Sequence, residues 1–116
     1  DNELLSLHDI VQRLGHAGRH IDILKVDCEG CEWDAFAALW LTGDGSVSIG
    51  QIQVELHLHD FDKIRTFFAA AEEAGYMIFH KERNQWGCDG FNCVEYALIH
   101  LVDAHRLFEA THCGME

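Results

Sequence analysis

The stretch "IDILKVDCEGCEWDAF", Ile21 to Phe36, decides the fold of this 116-residue chain. Its first part is nearly continuously apolar and rich in β-branched residues, which predicts a strand buried on both faces of a parallel sheet. Its last part opens an apolar stripe at helical spacing that continues to Trp40. The acids and thiols of "DCEGCE" therefore lie in the turn that joins a strand to a helix.

The rest of the chain repeats this alternation. An amphipathic helix precedes the stretch, with its apolar residues between Leu4 and Leu14, and another follows "ELHLHD", with Asp60 or Asp62 as its cap. Three further strands are predicted at 49–59, 76–81 and 93–102. The turn "TGDG" closes the second helix, and the tail from Asp103 has room for one or two helical turns.

This order of elements predicts an α/β fold. Strands that alternate with helices form right-handed crossovers and a parallel sheet. No helix separates the last two strands, so we expect them to pair antiparallel. No Pro-rich linker or internal repeat divides the chain, which favours a single domain.

Charge and composition exclude some classes of function. The chain is 48% hydrophobic with a formal net charge of −12, which is typical of a globular protein and argues against binding to a nucleic-acid backbone. No apolar run approaches the ~20 residues of a membrane span. Because the chain starts with "DNE" and no Met, it has the character of an excised piece, and localisation cannot be predicted from it.

With these residues, the layout resembles the C-terminal half of a class I S-adenosylmethionine-dependent methyltransferase, and more narrowly the FkbM-type and related methyltransferase-like domains. "IDILKVDCEGCEWDAF" is similar to the "lKiDvEGaE" segment of that family, and "IQVELH", "AGYMIFHKERN" and "CVEYALIHL" follow in the family's order. The resemblance implies a partial Rossmann-like methyltransferase sheet: a helix, then strands four to seven of seven. The last strand is antiparallel and lies between the fifth and sixth.

The resemblance also implies what is missing. The family's Gly-rich cofactor loop follows its first strand, whereas "GDGSVSIG" here precedes a strand. We therefore expect residues 1–116 to form one partial domain without the cofactor-binding N-terminal half, inactive by itself. S-adenosylmethionine is the cofactor of the complete domain, and Asp27 is the residue here that faces it.

Asp27 and Glu29 are the first candidate catalytic residues. Ligands of open α/β sheets bind beyond the carboxyl ends of the strands, where both residues fall. A carboxylate there can accept a proton from a hydroxyl or amine, or orient the group. Helix capping is the alternative, and for Glu32 the first-turn helix acid is the favoured interpretation.

The cysteines offer three interpretations. Cys28 and Cys31, with Cys88 and Cys93, have spacings that zinc sites use. A redox pair at a helix N-terminus is a second possibility. The family pattern has Val and Ala in place of the first pair, so packing as small apolar residues is favoured and no metal ligand is assigned. The odd count, with Cys113 as the fifth, leaves at least one thiol unpaired.

Glu55 and His57 are the second pair of candidate catalytic residues. With His59 they share one face of a strand at period two. They can act as a base and its orienting acid, bind a divalent metal, or form a polar strand face. A strand covered on both sides rarely carries such a face, which favours a role in a cleft, with His59 in the loop beyond.

Three residues near the ends of the last strands are candidates for substrate binding: Lys81, Asn84 and Glu95. The stretch "HKERN" is similar to "HkEpN" of the family. Solvated surface charge is the alternative for such a loop.

The leading hypothesis is transfer of a methyl group to an O or N nucleophile of a small molecule or sugar. The alternative is a non-catalytic acidic α/β domain that binds a partner or a divalent metal. If the first three strands are absent, the strand Ile21–Asp27 has an open edge, which predicts a homodimer or aggregation.

Overall fold

The computed structural model describes residues 5–40, 47–90 and 92–112, which form four helices and four strands. The order along the chain is α1 (Leu7–Arg13), β1 (His20–Val26), α2 (Glu32–Trp40), β2 (Ser48–His57), α3 (Phe61–Glu73), β3 (Tyr76–Arg83), β4 (Cys93–His100) and α4 (Leu101–His112). A short 3₁₀ turn, Cys88–Gly90, precedes β4. The predicted α/β class is therefore confirmed.

The strands form one sheet in the order β1-β2-β4-β3. β1 and β2 are parallel and joined through α2, whereas β4 is antiparallel to both β2 and β3. The last strand thus inserts between the two strands that precede it, as the sequence predicts. This order matches strands four to seven of the expected seven-stranded sheet.

The helices begin where the sequence supplies a cap. Ser6 and Asp9 form a reciprocal capping box at α1, and Asp60 accepts hydrogen bonds from the N–H groups of Asp62 and Lys63 at α3. The longest helix, α3, has 13 residues. In the part of the chain that the structure describes, no helix has the length and apolar character needed to cross a membrane.

The core lies between one face of the sheet and the helices α2 and α3. Its members are apolar residues of these two helices, β2 and β4: Phe36, Ile49, Ile52, Val54, Leu56, Phe67, Ala71, Val94, Tyr96 and Leu98. Phe67 packs edge-on against Phe36 with ring centroids 5.3 Å apart, and Trp40 lies 5.2 Å from Phe67. The aromatic stripes predicted as core are confirmed.

The expectation that β1 is buried on both faces is wrong for the described residues. None of its side chains is fully buried, and Ile23 is 54% exposed. β1 lies at the edge of the sheet, and the face that carries Ile23 and Gln53 is open. The apolar sequence thus correctly predicted the strand but not how far its side chains are buried.

Several predicted boundaries also differ. β4 ends at His100, and α4 starts at Leu101 and runs for 12 residues, longer than the one or two turns expected. The N–H of Leu101 donates to the carbonyl of Gly75, just before β3, which extends the pairing of β3 and β4 by one hydrogen bond. β3 continues to Arg83, two residues beyond the prediction. The turn predicted at 42–45 lies outside the described residues.

Tyr76 generates a test of how α3 and β3 are fixed to the sheet. Its hydroxyl donates to the carbonyl of Ile49 at 2.6 Å. Tyr76→Phe leaves that carbonyl without its partner, so we expect a loss of about 1 kcal/mol in the free energy of unfolding at pH 7, measured by urea denaturation. A loss below about 0.3 kcal/mol, which is comparable to the measurement error, would contradict the assignment.

The same substitution has a pH signature. Burial, with the charge of Asp103 adding to it, raises the pKa of Tyr76 to about 12, from an ordinary 10.0. Because the unfolded state loses this proton first, Tyr76 makes the wild-type protein less stable as the pH rises from 10 towards 12. The difference in the free energy of unfolding between wild type and Tyr76→Phe should therefore shrink as the pH rises from about 10 towards about 12.

The edge of β1 generates a second test. An open strand edge with exposed apolar side chains favours pairing with a second copy. We expect light scattering at tens of micromolar protein to show self-association, and Ile23→Lys to reduce it. Phe61→Lys, which changes an 82% exposed side chain on α3, is the matched control and should leave association unchanged. A monomeric wild-type protein at these concentrations would exclude the prediction.

Candidate functional site

The turn between β1 and α2 presents two carboxylates at the end of the sheet. Asp27 directly follows β1 and is exposed, and Glu29 is exposed in the left-handed region with a φ of 57°. Gly30 follows with a φ of 111°, a backbone conformation that residues other than glycine rarely adopt. A disulfide between Cys28 and Cys31 closes the turn.

Glu32, the first residue of α2, joins this turn to the end of β2. Its side chain has no exposed surface. One carboxylate oxygen accepts from the N–H of Gly30 at 2.7 Å. The other accepts from the backbone N–H of His57 at 3.0 Å and from the ring Nδ1 of His57 at 2.8 Å. A single buried carboxylate thus holds two adjacent strand ends together.

Glu32 is ionised at neutral pH. Burial by itself would raise the pKa of this carboxyl, but hydrogen bonds from backbone N–H groups, its own included, and from the ring of His57 together hold the pKa below its usual value. A carboxylate can only accept hydrogen bonds, so the proton of the imidazole must lie on Nδ1. Glu32 therefore fixes the tautomer of His57.

The other ring nitrogen of His57 has no hydrogen-bond partner. The residue is 8% exposed, and its Nε2 atom is buried. Glu55 Oε1 lies 3.5 Å from Nε2, close enough to attract a positive charge but without forming a hydrogen bond. In the neutral ring, Nε2 carries a lone pair, so this geometry presents a proton acceptor or metal ligand inside a cluster of acids.

The structure brings all four predicted catalytic residues to the same end of the sheet. Asp27, Glu29 and His57 each offer a ligand atom, and the three atoms lie within 4.8 Å of one another. Glu55 completes the group through its contact with His57. The sequence predicted this position for Asp27 and Glu29 from the strand end, and a cleft role for Glu55 and His57 from the polar face of their strand. The catalytic roles of all four stay predictions. His59 follows the end of β2 and is exposed, in the loop where the sequence placed it.

The three predicted substrate residues have different environments. Asn84 Nδ2 donates to Glu55 Oε2 at 3.1 Å and so contacts one of the four candidate catalytic residues. The Lys81 ammonium lies over the ring of Tyr96, 5.6 Å from its centroid. Glu95 is exposed and pairs across the strands with Glu55. All three residues predicted for the substrate line a polar cleft of about 520 Å³: Lys81, Asn84 and Glu95.

The cysteines are joined in pairs. Besides Cys28–Cys31, a disulfide links Cys88 to Cys93. The sequence favoured packed free thiols, which the structure does not bear out, although Cys93 is fully buried. Among the described residues, no cluster of metal-binding side chains combines the two pairs. Cys113 lies outside the described residues.

Sequence reasoning missed the importance of Glu32. An acid in the first turn of a helix usually favours the positive helix end and stays in solvent. The signal that could have identified it is the polar end of β2, because a buried His57 needs a polar partner. Glu32 is the first residue of α2, the helix that connects β1 to β2, and so lies within reach of that end. Spacing within one element does not show such a pair.

A second cleft lies at the opposite end of the sheet. It has a volume of about 430 Å³ and is lined by residues that include His20, Tyr76 and Asp103. In this cleft His20 lies 2.7 Å from Ser48 Oγ and 3.4 Å from Asp103, so both of its ring nitrogens already have polar neighbours within the protein. This cleft lies at the amino ends of the parallel strands, whereas ligands of open α/β sheets bind at the carboxyl ends.

Comparison with known families gives a match that covers most of the chain. A family model described as "Methyltransferase domain" matches residues 1–100. No curated protein and no solved structure matches the chain. The matched range contains the complete sheet and every residue of the site at the carboxyl ends of β1 and β2.

The role of Glu32 can be tested by Glu32→Gln, which keeps the size of the side chain and removes its charge. An amide nitrogen then faces a donor, so we expect a loss of about 2–3 kcal/mol in the free energy of unfolding at pH 7. Asp34→Asn, the same change at an exposed position in the first turn of α2, is the matched control and should cost less than about 0.5 kcal/mol.

The pH dependence follows from the lowered pKa of Glu32. The ionised form stabilises the folded protein above the ordinary pKa of 4.5, and this contribution is lost as the pH falls through the lower folded pKa. The difference in the free energy of unfolding between wild type and Glu32→Gln should therefore decrease as the pH falls below 4.5. Equal costs for Glu32→Gln and Asp34→Asn at pH 7 would show that Glu32 does not join the strand ends.

Proposed function

The chain belongs to the methyltransferase domain family, and we propose that it supplies the acceptor side of S-adenosylmethionine-dependent methyl transfer. The observation that carries the proposal is His57, whose Nδ1 is held by an ionised carboxylate while its Nε2 is buried without a partner. A base and its orienting acid in this geometry are the arrangement that general-base catalysis requires.

His57 is the proton acceptor of this proposal. An acceptor hydroxyl or amine donates a hydrogen bond to Nε2, and the proton moves to that nitrogen as the nucleophile loses it. The ring then carries a positive charge, which Glu32 at 2.8 Å from Nδ1 and Glu55 at 3.5 Å from Nε2 both stabilise. Burial keeps the ring in one orientation and excludes competing water.

Asp27 and Glu29 hold the acceptor. Both are exposed, and their carboxylates lie within the 4.8 Å group that includes His57. Carboxylates at this position accept hydrogen bonds from neighbouring hydroxyl or amine groups of the acceptor and align the reacting one. This arrangement favours a polyhydroxylated or amine-bearing small molecule or sugar, as the FkbM-type resemblance implies. Lys81, Asn84 and Glu95 extend the polar surface for such a molecule.

The family implies S-adenosylmethionine as the donor, but the described residues do not form a site that fits it. When bound, the donor supplies an electrophilic methyl group on a sulfonium. In this fold the donor binds at a Gly-rich turn that leads from a strand into a helix. In the described residues, the turns 27–31 and 58–60 lead from a strand into a helix, and Gly30 is the one glycine that they contain. The assignment of Asp27 to the cofactor therefore stays a prediction, as does the inactivity of this partial domain by itself.

A second candidate function is binding of a divalent cation without catalysis. The carboxylates of Asp27 and Glu29 with a ring nitrogen of His57 are close enough to share one ion. A calorimetric titration with Mn²⁺ distinguishes the two functions. Binding that Asp27→Asn abolishes, in a protein that transfers no methyl group, favours the cation site; methyl transfer that continues in the presence of a chelator favours the base.

The test of the proposed base is His57→Gln in a protein that also carries a cofactor-binding half, with labelled S-adenosylmethionine and a panel of sugar, polyol and amine acceptors. Removing a general base lowers kcat by about 10²–10⁴-fold, and we expect KM for the donor to change little. His59→Gln, two residues further on and exposed, is the matched control and should keep the wild-type rate. A wild-type rate in His57→Gln excludes the proposed role.

A further inference from the structure

His57 and three side chains around it form a group of four that the proposed reaction does not require. Glu55, His57, Cys88 and Cys93 each offer one ligand atom, and all four atoms lie within 4.8 Å of one another. Three of these residues are buried and Cys88 is partly buried. In a tetrahedral zinc site with bonds of 2.0–2.3 Å, ligand atoms are separated by about 3.3–3.8 Å, so small side-chain adjustments are sufficient.

The fold itself assembles this group. His57 is directly opposite Cys93 in the register of β2 and β4, and Glu55 lies two residues earlier on the same face of β2. The 3₁₀ turn that precedes β4 brings Cys88 to the same place. The ligands therefore come from two paired strands and one tight turn, which are rigid supports for a metal site.

The orientation of His57 is an independent observation that points to a ligand. A buried polar atom without a partner is uncommon in native proteins and requires a reason. Nε2 of His57 is such an atom, and its other nitrogen donates to Glu32. A histidine that binds zinc usually has this arrangement, in which a carboxylate fixes the tautomer and the opposite nitrogen faces the ion.

Glu55 is oriented in a similar way. Asn84 Nδ2 donates to its Oε2 at 3.1 Å, and its Oε1 is the atom that faces His57. One carboxylate oxygen is thus engaged and the other points towards the group. The Asn84 side chain is in turn fixed, because its Oδ1 accepts from the N–H groups of Trp86 and Gly87 at 3.1 Å.

We propose that the reduced form of this protein binds one Zn²⁺ through Cys88, Cys93 and His57 Nε2, with Glu55 as the fourth ligand. Two thiolates and an imidazole select zinc over Mg²⁺ or Ca²⁺, which prefer oxygen ligands. The proposal rests on the geometry and not on the proposed methyl transfer.

The state of the cysteines controls the site. In the structure Cys88 and Cys93 share a disulfide, which cannot supply thiolates. A dithiol or phosphine reductant donates two electrons, the S–S bond breaks and two protons bind to give two thiols. Zn²⁺ then replaces these two protons, which are released to solvent. The segment from Cys88 to Cys93 is thus closed by a covalent bond in one state and by a metal in the other.

Zinc and a substrate proton compete for the same nitrogen. If His57 is the base, the reduced zinc-bound protein cannot accept a proton at Nε2 and transfers methyl groups more slowly than the disulfide form. If zinc binds but the rate of methyl transfer does not fall, His57 is not the base, while the zinc site is still supported. The two proposals can therefore fail separately.

The experiment uses the protein with Cys113→Ser, which removes the fifth thiol. It is reduced with a phosphine, freed of reductant without air, and titrated with Co²⁺ and then Zn²⁺. We expect one Co²⁺ per chain with the visible absorption of tetrahedral cobalt and thiolate charge transfer, displaced by one Zn²⁺. The air-oxidised protein, with both disulfides intact by mass spectrometry, should bind neither ion at this site.

Variants identify the ligands. Cys88→Ser and His57→Gln should each weaken Zn²⁺ binding by at least about 10–100-fold and change the cobalt spectrum. The double variant Cys28→Ser, Cys31→Ser is the matched control, because it removes the other pair and should keep the affinity of the reduced parent. Cys88 is only partly buried, so its variant should fold, and circular dichroism checks this. Absence of binding in the reduced parent overturns the proposal, as does binding that depends on Cys28 and Cys31 but not on Cys88.

Discussion

The buried carboxylate of Glu32 is the interaction on which the rest of the site depends. A charge removed from water is costly unless several donors surround it, and Glu32 has three donors from two other residues. Two come from His57 at the end of β2, and one from Gly30 in the turn after β1. The parallel strands are therefore aligned at their carboxyl ends by an interaction outside the hydrogen bonds of the sheet.

The same carboxylate determines the chemistry of the imidazole. Because Nδ1 must donate to Glu32, Nε2 is the only ring atom available to a substrate or a metal. The position of His57 beside Asp27 and Glu29 follows from the strand register, since parallel β1 and β2 end side by side. Local electrostatics thus select the reactive atom, and sheet topology selects its neighbours.

The sequence predicted those features that depend on periodicity and element order. The strands and helices, the antiparallel last strand and the convergence of Asp27 with His57 follow from patterns within or between elements. The exposure of β1 could not be predicted from its sequence, because the burial of a strand depends on which other elements pack against it. The burial of Glu32 was missed for a related reason: a helix-start acid and a bridging acid have the same local sequence. The pairing of Cys93 with His57 depends on the register of β2 and β4. These two residues are 36 positions apart in the sequence (93 minus 57), so tertiary packing sets their contact.

The position of β4 has a consequence for how the molecule assembles. β4 is the last strand along the chain, yet it lies between β2 and β3 in the sheet. During synthesis β3 emerges before it has any strand to pair with, and β2 exposes one edge until residues 93–100 arrive. Loops that close over such distances in sequence slow folding. The group of Glu55, His57, Cys88 and Cys93 therefore cannot form until β4 pairs with β2 and places Cys93 opposite His57, and until then the edges of β2 and β3 that face β4 stay unpaired.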